Sequence, residues 1–144
     1  MACSSTWVIK GLTTWFCCGN AWGPCGTAGT GACGTCQSDQ HMAAWPNLSG
    51  ACLSITDPGA CGESPPQRGC GYVMKVHCRC VSNNVCVTFA DCGPDTQLFC
   101  GQQDCCPSGQ GPDCETNRVI DLTPAAFSVI GDLSAGVLPV HIYE

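Results

Sequence analysis

Charge is scarce in this chain. Lys, Arg, Asp and Glu make up 11% of its 144 residues, and five basic side chains face 11 acidic ones for a net charge of −6. So few cations argue against a phosphate-backbone partner, whose binding depends on releasing counterions, and against a polybasic membrane contact. No apolar run approaches the roughly 18 residues of a membrane-spanning helix. A charged segment followed by an apolar one, the mark of a signal peptide, is also missing. Any secretory leader is therefore expected to have been removed already, with Met1 before Ala2-Cys3 an added start on a mature chain. Phosphate-cradling glycine patterns, internal repeats and low-complexity tracts are absent too.

Cysteine, by contrast, is abundant: there are 17, more than all the charged residues together. That density marks a disulfide scaffold and an oxidising, extracellular setting. With 18 Gly and 10 Pro the chain is broken into turns, leaving little room for long helices. At 14.9 kDa, residues 1–144 are expected to form a single secreted domain with a modest core. Bridges are expected among Cys3, Cys17, Cys18, Cys25, Cys33, Cys36, Cys52, Cys61, Cys70, Cys78, Cys80, Cys86, Cys92, Cys100, Cys105, Cys106 and Cys114. The total is odd, so one stays buried and free or bonds a second chain, which permits homo-assembly. The vicinal pairs Cys17-Cys18 and Cys105-Cys106 should each send their sulfurs to different partners.

Zinc is the competing use of these thiols. Cys33 and Cys36 have knuckle spacing, but no second knuckle or His pair accompanies them, so no metal or other cofactor is expected. A nucleophilic Cys is improbable where nearly every thiol is bridged. Asn47-Leu48-Ser49 is a glycosylation sequon in a turn-rich stretch.

Regular structure is legible in the second half. Tyr72–Cys78 and Val85–Ala90 alternate as half-buried strands, with Ser82-Asn83-Asn84 suited to the turn between them. Val119–Leu122 is a short apolar strand interrupted by Asp121. Thr123 then stands at an N-cap, Pro124 opens a two-turn helix through Ile130, and Gly131 stops it. Val137–Tyr143 closes the chain as a strand, and the Cys-rich stretch Phe99–Cys114 reads as a stapled insertion loop. The fold class is mostly β, heavily disulfide-bonded, with one or two short helices.

Several segments have counterparts in a known family. Gly11-Leu12-Thr13-Thr14-Trp15-Phe16 is similar to the G-x-A-S-W-Y opening of rare lipoprotein A-like domains and the A-T-W-Y of expansins. Gly31-Ala32-Cys33-Gly34, followed by Asp39 through Ala44, is similar to their G-A-C-G and x-x-x-A-A segments. Asp91-Cys92-Gly93-Pro94 resembles the D-R-G-P turn, and Arg118 through Phe127 is close to R-[VI]-I-D-L-S-P-A-A-F. The tail Gly136–Ile142 fits G-x-x-P-V-x-[IV]. The chain thus resembles the rare lipoprotein A-like, expansin-like and barwin-related domains from about Gly11 to Ile142. The resemblance implies a secreted, six-stranded double-psi β-barrel acting on cell-wall polysaccharide. Relatives include non-hydrolytic expansins, barwin-type defence proteins, family-45 endoglucanases, peptidoglycan lytic transglycosylases and some protease inhibitors.

The resemblance places Asp91 and Asp121 in one groove. They would be catalytic only in an enzyme, since cleaving a glycosidic bond needs an acid with a base or nucleophile. An aspartate among Val119, Ile120 and Leu122 is expected to have a raised pKa. Either carboxylate could instead brace a turn by accepting backbone N–H groups. Two departures disfavour catalysis. Trp45 follows Ala43-Ala44 where lytic members carry His, and Cys17 stands near the position of a hydrolytic Asp, leaving Asp39 or Asp95 to supply any second carboxylate.

Sugar rings stack on flat aromatic surface, and Trp15, Trp22, Trp45 and Tyr72, with Asp39, are the candidate glycan-binding residues; Trp22 in particular is expected to be exposed. The expected activity is binding or loosening of polysaccharide of the cellulose, chitin or peptidoglycan type without hydrolysis. A hydrolase or lytic transglycosylase, and a structural, self-assembling or protease-inhibitor module, are the rival readings. His41, His77 and His141 lack matched partners for chemistry.

Overall fold

The computed structural model describes residues 3, 5–27, 29–52, 55, 57–62 and 64–144; the expectation for Met1 and Ala2 lies outside them. Among the described residues there are eight strands: β1 (Trp7–Trp15), β2 (Met42–Trp45), β3 (Val73–Cys78), β4 (Asn84–Cys92), β5 (Gln103–Cys105), β6 (Cys114–Thr116), β7 (Arg118–Leu122) and β8 (Leu138–Tyr143). The helix α1 spans Pro124–Ile130, and 3-10 turns occupy Thr96–Phe99 and Leu133–Ala135.

Six strands close into a barrel in the order β1-β7-β2-β4-β3-β8. β1 runs parallel to β7 and β2 parallel to β4, while the other neighbours are antiparallel. This is the mostly β, six-stranded double-psi barrel with short helices that the sequence led one to expect. Closure removes sheet edges, and a barrel this narrow is filled by side chains. Trp45 and Phe89 stack inside it with ring centroids 4.8 Å apart. Leu12, Met74, Val76, Val87, Ile120 and Ile142 are buried around them.

The helix starts after Thr123 as expected, but the threonine hydroxyl does not cap it. It donates instead to the carbonyl of Gln40 at 2.6 Å and accepts the N–H of Met42 at 3.2 Å, fastening the helix entrance to β2. Gly131 N–H closes the far end on Phe127 O at 3.0 Å.

Eight disulfides join Cys3–Cys86, Cys17–Cys25, Cys18–Cys36, Cys33–Cys70, Cys52–Cys92, Cys61–Cys100, Cys80–Cys106 and Cys105–Cys114. Both vicinal pairs split between partners. The leftover thiol is Cys78, fully buried, with its Sγ accepting the N–H of Cys80 at 3.4 Å. A second chain could reach it only after the barrel opened, so the folded chain does not offer it for covalent assembly.

The stretch Phe99–Cys114 is not a loop, as expected, but carries most of a hairpin. β5 pairs with β6 across Cys105–Cys114, and the sheet runs on to Thr116. Cys80–Cys106 ties it to the barrel, where it packs on β1 and β8. Asn47 is half-buried with one amide N–H donating to Pro65 O at 2.9 Å, which leaves its second N–H as the one a glycan would replace.

Candidate functional site

Strand register assembles the site. Asp121 on β7 lies level with Thr14 on β1 and with Ala44 on β2, and Ala44 lies level with Asp91 on β4. Residues directly opposite across paired strands share a face. Both aspartates therefore look out from one side of the barrel, separated by β2, with Cα atoms about 9–10 Å apart by strand spacing. An irregularity in the β2–β4 pairing between Ala43 and Ala44 sets this up. Phe89 opposes Ala43, one residue is skipped, and Asp91 opposes Ala44. A bulge of this kind re-aims a side chain, here an aspartate.

Each carboxylate is anchored through one oxygen. Asp91 Oδ1 accepts the N–H groups of Ala32 and Cys92, both at 2.8 Å. The loop bearing Ala32 comes this close because its neighbour is Gly31, where a Cβ would lie 2.9 Å from Cys36 Cβ and 3.1 Å from the Ala90 carbonyl carbon. Asp121 Oδ1 accepts the Thr14 hydroxyl. Neither Oδ2 has a protein donor among the described residues.

Burial pushes the Asp121 carboxyl above the ordinary carboxylate range. The Thr14 hydroxyl and the Arg118 charge oppose that shift, and the charge of Asp91 adds to it. Gly93 lies beside both groups. At φ 143° it takes a conformation suited to glycine, and a Cβ there would sit 3.8 Å from Ala44 Cβ and 3.9 Å from Asp121 Oδ2. Turn backbone thus borders the Asp121 carboxylate.

The aromatic candidates do not gather here as expected. Trp45 is fully buried, stacked on Phe89, with its indole N–H spent on Pro66 O at 2.9 Å. It presents no face to a ligand, because the barrel interior needs a large apolar filler at that position. Trp15 is half-buried against the core, donating to Leu133 O at 3.0 Å. Trp22 is half-buried rather than exposed, in the small loop closed by Cys17–Cys25. Tyr72 is exposed, and its carbonyl accepts the N–H of Phe89, two residues before Asp91. Its hydroxyl donates to Glu144 Oε2 at 2.7 Å.

Asp39 is exposed, accepts from Asn20 at 3.2 Å, and lines a separate cavity with His41, Cys86 and Thr88. Asp95 begins the 3-10 turn Thr96–Phe99 without capping it. Cys33 and Cys36 are both bridged, and His141 is held by Glu115 at 3.0 Å. Sequence reasoning missed Thr14, Ala32, Gly93 and Ala44 as parts of the site. Their motifs were visible, but only strand pairing shows that they converge.

No protein-family model matches the chain, and no curated protein matches it. Among solved structures it is similar to the Clavibacter michiganensis expansin, at 21% identity and a TM-score of 0.48 over 92% of this chain and 48% of that one. A mutant of that expansin in complex with cellohexaose gives the same figures. The Streptomyces papain inhibitor matches at 21% identity and a TM-score of 0.49 over 94% of both chains. What the chain itself shows is the closed strand order with two parallel pairings described above. The chain spans about half the length of the Clavibacter expansin it is similar to.

Proposed function

We propose that this expansin-like barrel is secreted and binds extracellular polysaccharide of the cellulose, chitin or peptidoglycan type, loosening it without hydrolysis. The supporting observation is the level row Thr14–Asp121–Ala44–Asp91, in which each carboxylate keeps an oxygen free of protein donors. Two such acceptors suit the hydroxyl groups of a glycan strand, and charged acceptors make the stronger hydrogen bonds.

Hydrolysis asks for more. Asp121 has the raised pKa of an acid, yet Asp91 is tied by two backbone N–H groups. The buried Trp45 fills the place of the lytic histidine, and Cys17 is bridged to Cys25. Eight disulfides accord with an extracellular address, and no helix among the described residues is long and apolar enough to cross a membrane.

Sedimentation with insoluble cellulose, chitin and peptidoglycan, run beside a reducing-end assay, tests the reading. Retention without soluble sugar is expected, weakened about tenfold in Asp121→Asn by loss of a charged acceptor. Oligosaccharide release that vanishes in Asp121→Asn would establish an enzyme instead. Failure of the folded protein to bind any of the three would leave the structural or inhibitory role.

A further inference from the structure

The barrel wall formed by β1, β8 and β3 carries a second group of side chains that the acidic row does not use. Trp7 is the most exposed tryptophan-sized surface there, 49% accessible, and it begins β1 seven residues before Thr14. That separation is on the order of 20 Å along the strand. Its indole stands edge-on against His141, with centroids 4.8 Å apart, and against Tyr143 at 5.8 Å. Register sets Tyr143 between Trp7 and Lys75, and His141 between Lys10 and His77. Lys75 Nζ lies 5.0 Å from the Tyr143 ring centroid. The wall is thus a rigid aromatic pair flanked by the only two lysines in the chain.

Two of the carboxylates around it are matched by cations: Glu144 is held by Arg68 at 2.9 and 2.6 Å, and Asp113 by Arg79 at 3.5 Å. Glu115 shares a hydrogen bond with His141 at 3.0 Å, but burial lowers the pKa of that imidazole, so it brings no cation at neutral pH. Lys10 and Lys75 enter no ion pair among the described residues. A chain of net charge −6 therefore holds two unpaired cations beside its most exposed tryptophan.

We propose that this wall is a second binding site, and that its ligand is a polyuronate, an acidic polysaccharide of carboxylated pyranose rings. An apolar ring face fits the open side of Trp7. A carboxylate at the edge of the same ring is within the sweep of a flexible lysine, and successive units along the strand offer one to Lys10 and one to Lys75. A neutral glucan gives the lysines nothing to bind, and an anion without a flat ring gives Trp7 nothing.

Calorimetry on the intact, oxidised protein with oligogalacturonate, neutral cello-oligosaccharide and dextran sulfate tests this. Oligogalacturonate binding is expected to weaken about tenfold in Trp7→Ala, and again in Lys10→Gln/Lys75→Gln with a flatter salt dependence. Cello-oligosaccharide binding should be the same in Trp7→Ala as in the wild type, whatever its strength, so this result is independent of the acidic row. The proposal is overturned if the wild type ignores oligogalacturonate. It is equally overturned if dextran sulfate binds as tightly and Trp7→Ala leaves both unchanged, because charge alone would then be the cause. Circular dichroism and the oxidised mass establish that each variant is folded.

Discussion

At Asp121 a carboxylate is held where water solvates it poorly, and its folded pKa is raised above the ordinary 3.8. Between those two values the folded chain holds a proton that the unfolded chain has lost. The contribution of this group to stability is therefore complete below pH 3.8 and declines as pH rises through the folded value. Asn at this position still accepts the Thr14 hydroxyl and carries no charge. Asp121→Asn should remove the decline and melt higher than wild type at pH 7, and a lower melting temperature there would refute the assignment. Glu144 has the opposite sign. Arg68 holds its carboxyl below the usual range, so its share of stability is lost as pH falls through the folded value. Trp45 gives a larger effect by another route. Trp45→Ala opens a cavity beside Phe89 and strands the Pro66 carbonyl, and should cost about 3–5 kcal/mol in denaturant titration.

Among the elements, those readable from the sequence were the ones whose burial alternates. β3 and β4 show the period of two, with Met74, Val76, Val85 and Val87 turned inward. The helix showed its Pro124 start and Gly131 stop. β2 was illegible because Met42–Trp45 is too short to display a period and is buried almost throughout. β5 and β6 were illegible for a different reason: strands of three residues have little pairing energy of their own, and sulfur holds them. That dependence can be tested. Cys80→Ser/Cys106→Ser frees the hairpin from the barrel and removes a 26-residue constraint from the unfolded chain, worth about 3–4 kcal/mol. Faster amide exchange should appear in Gln103–Cys105 and Cys114–Thr116, while the row around Asp121 keeps its protection.

For the whole molecule, the fold class was legible in the sequence, whereas the pairing that sets Asp91 and Asp121 level with Ala44 was not. Parallel pairing of β1 with β7 joins residues more than a hundred positions apart, and no local pattern announces it. The same holds for the choice of the unpaired thiol, since any of the 17 cysteines could have been left over. Burial of Cys78 makes a plain prediction. Intact mass after alkylation in native buffer should show no adduct, and after unfolding without reductant it should show one.

Thr14, Ala44, Asp91 and Asp121 come level only when four strands from distant parts of the chain have found their places. A molecule with shuffled sulfur pairs cannot line them up. If the row grips a glucan as proposed, an immobilised polysaccharide would sort correctly oxidised molecules from misassembled ones during refolding, and the ligand would serve as inspector of the covalent framework that shapes its own berth.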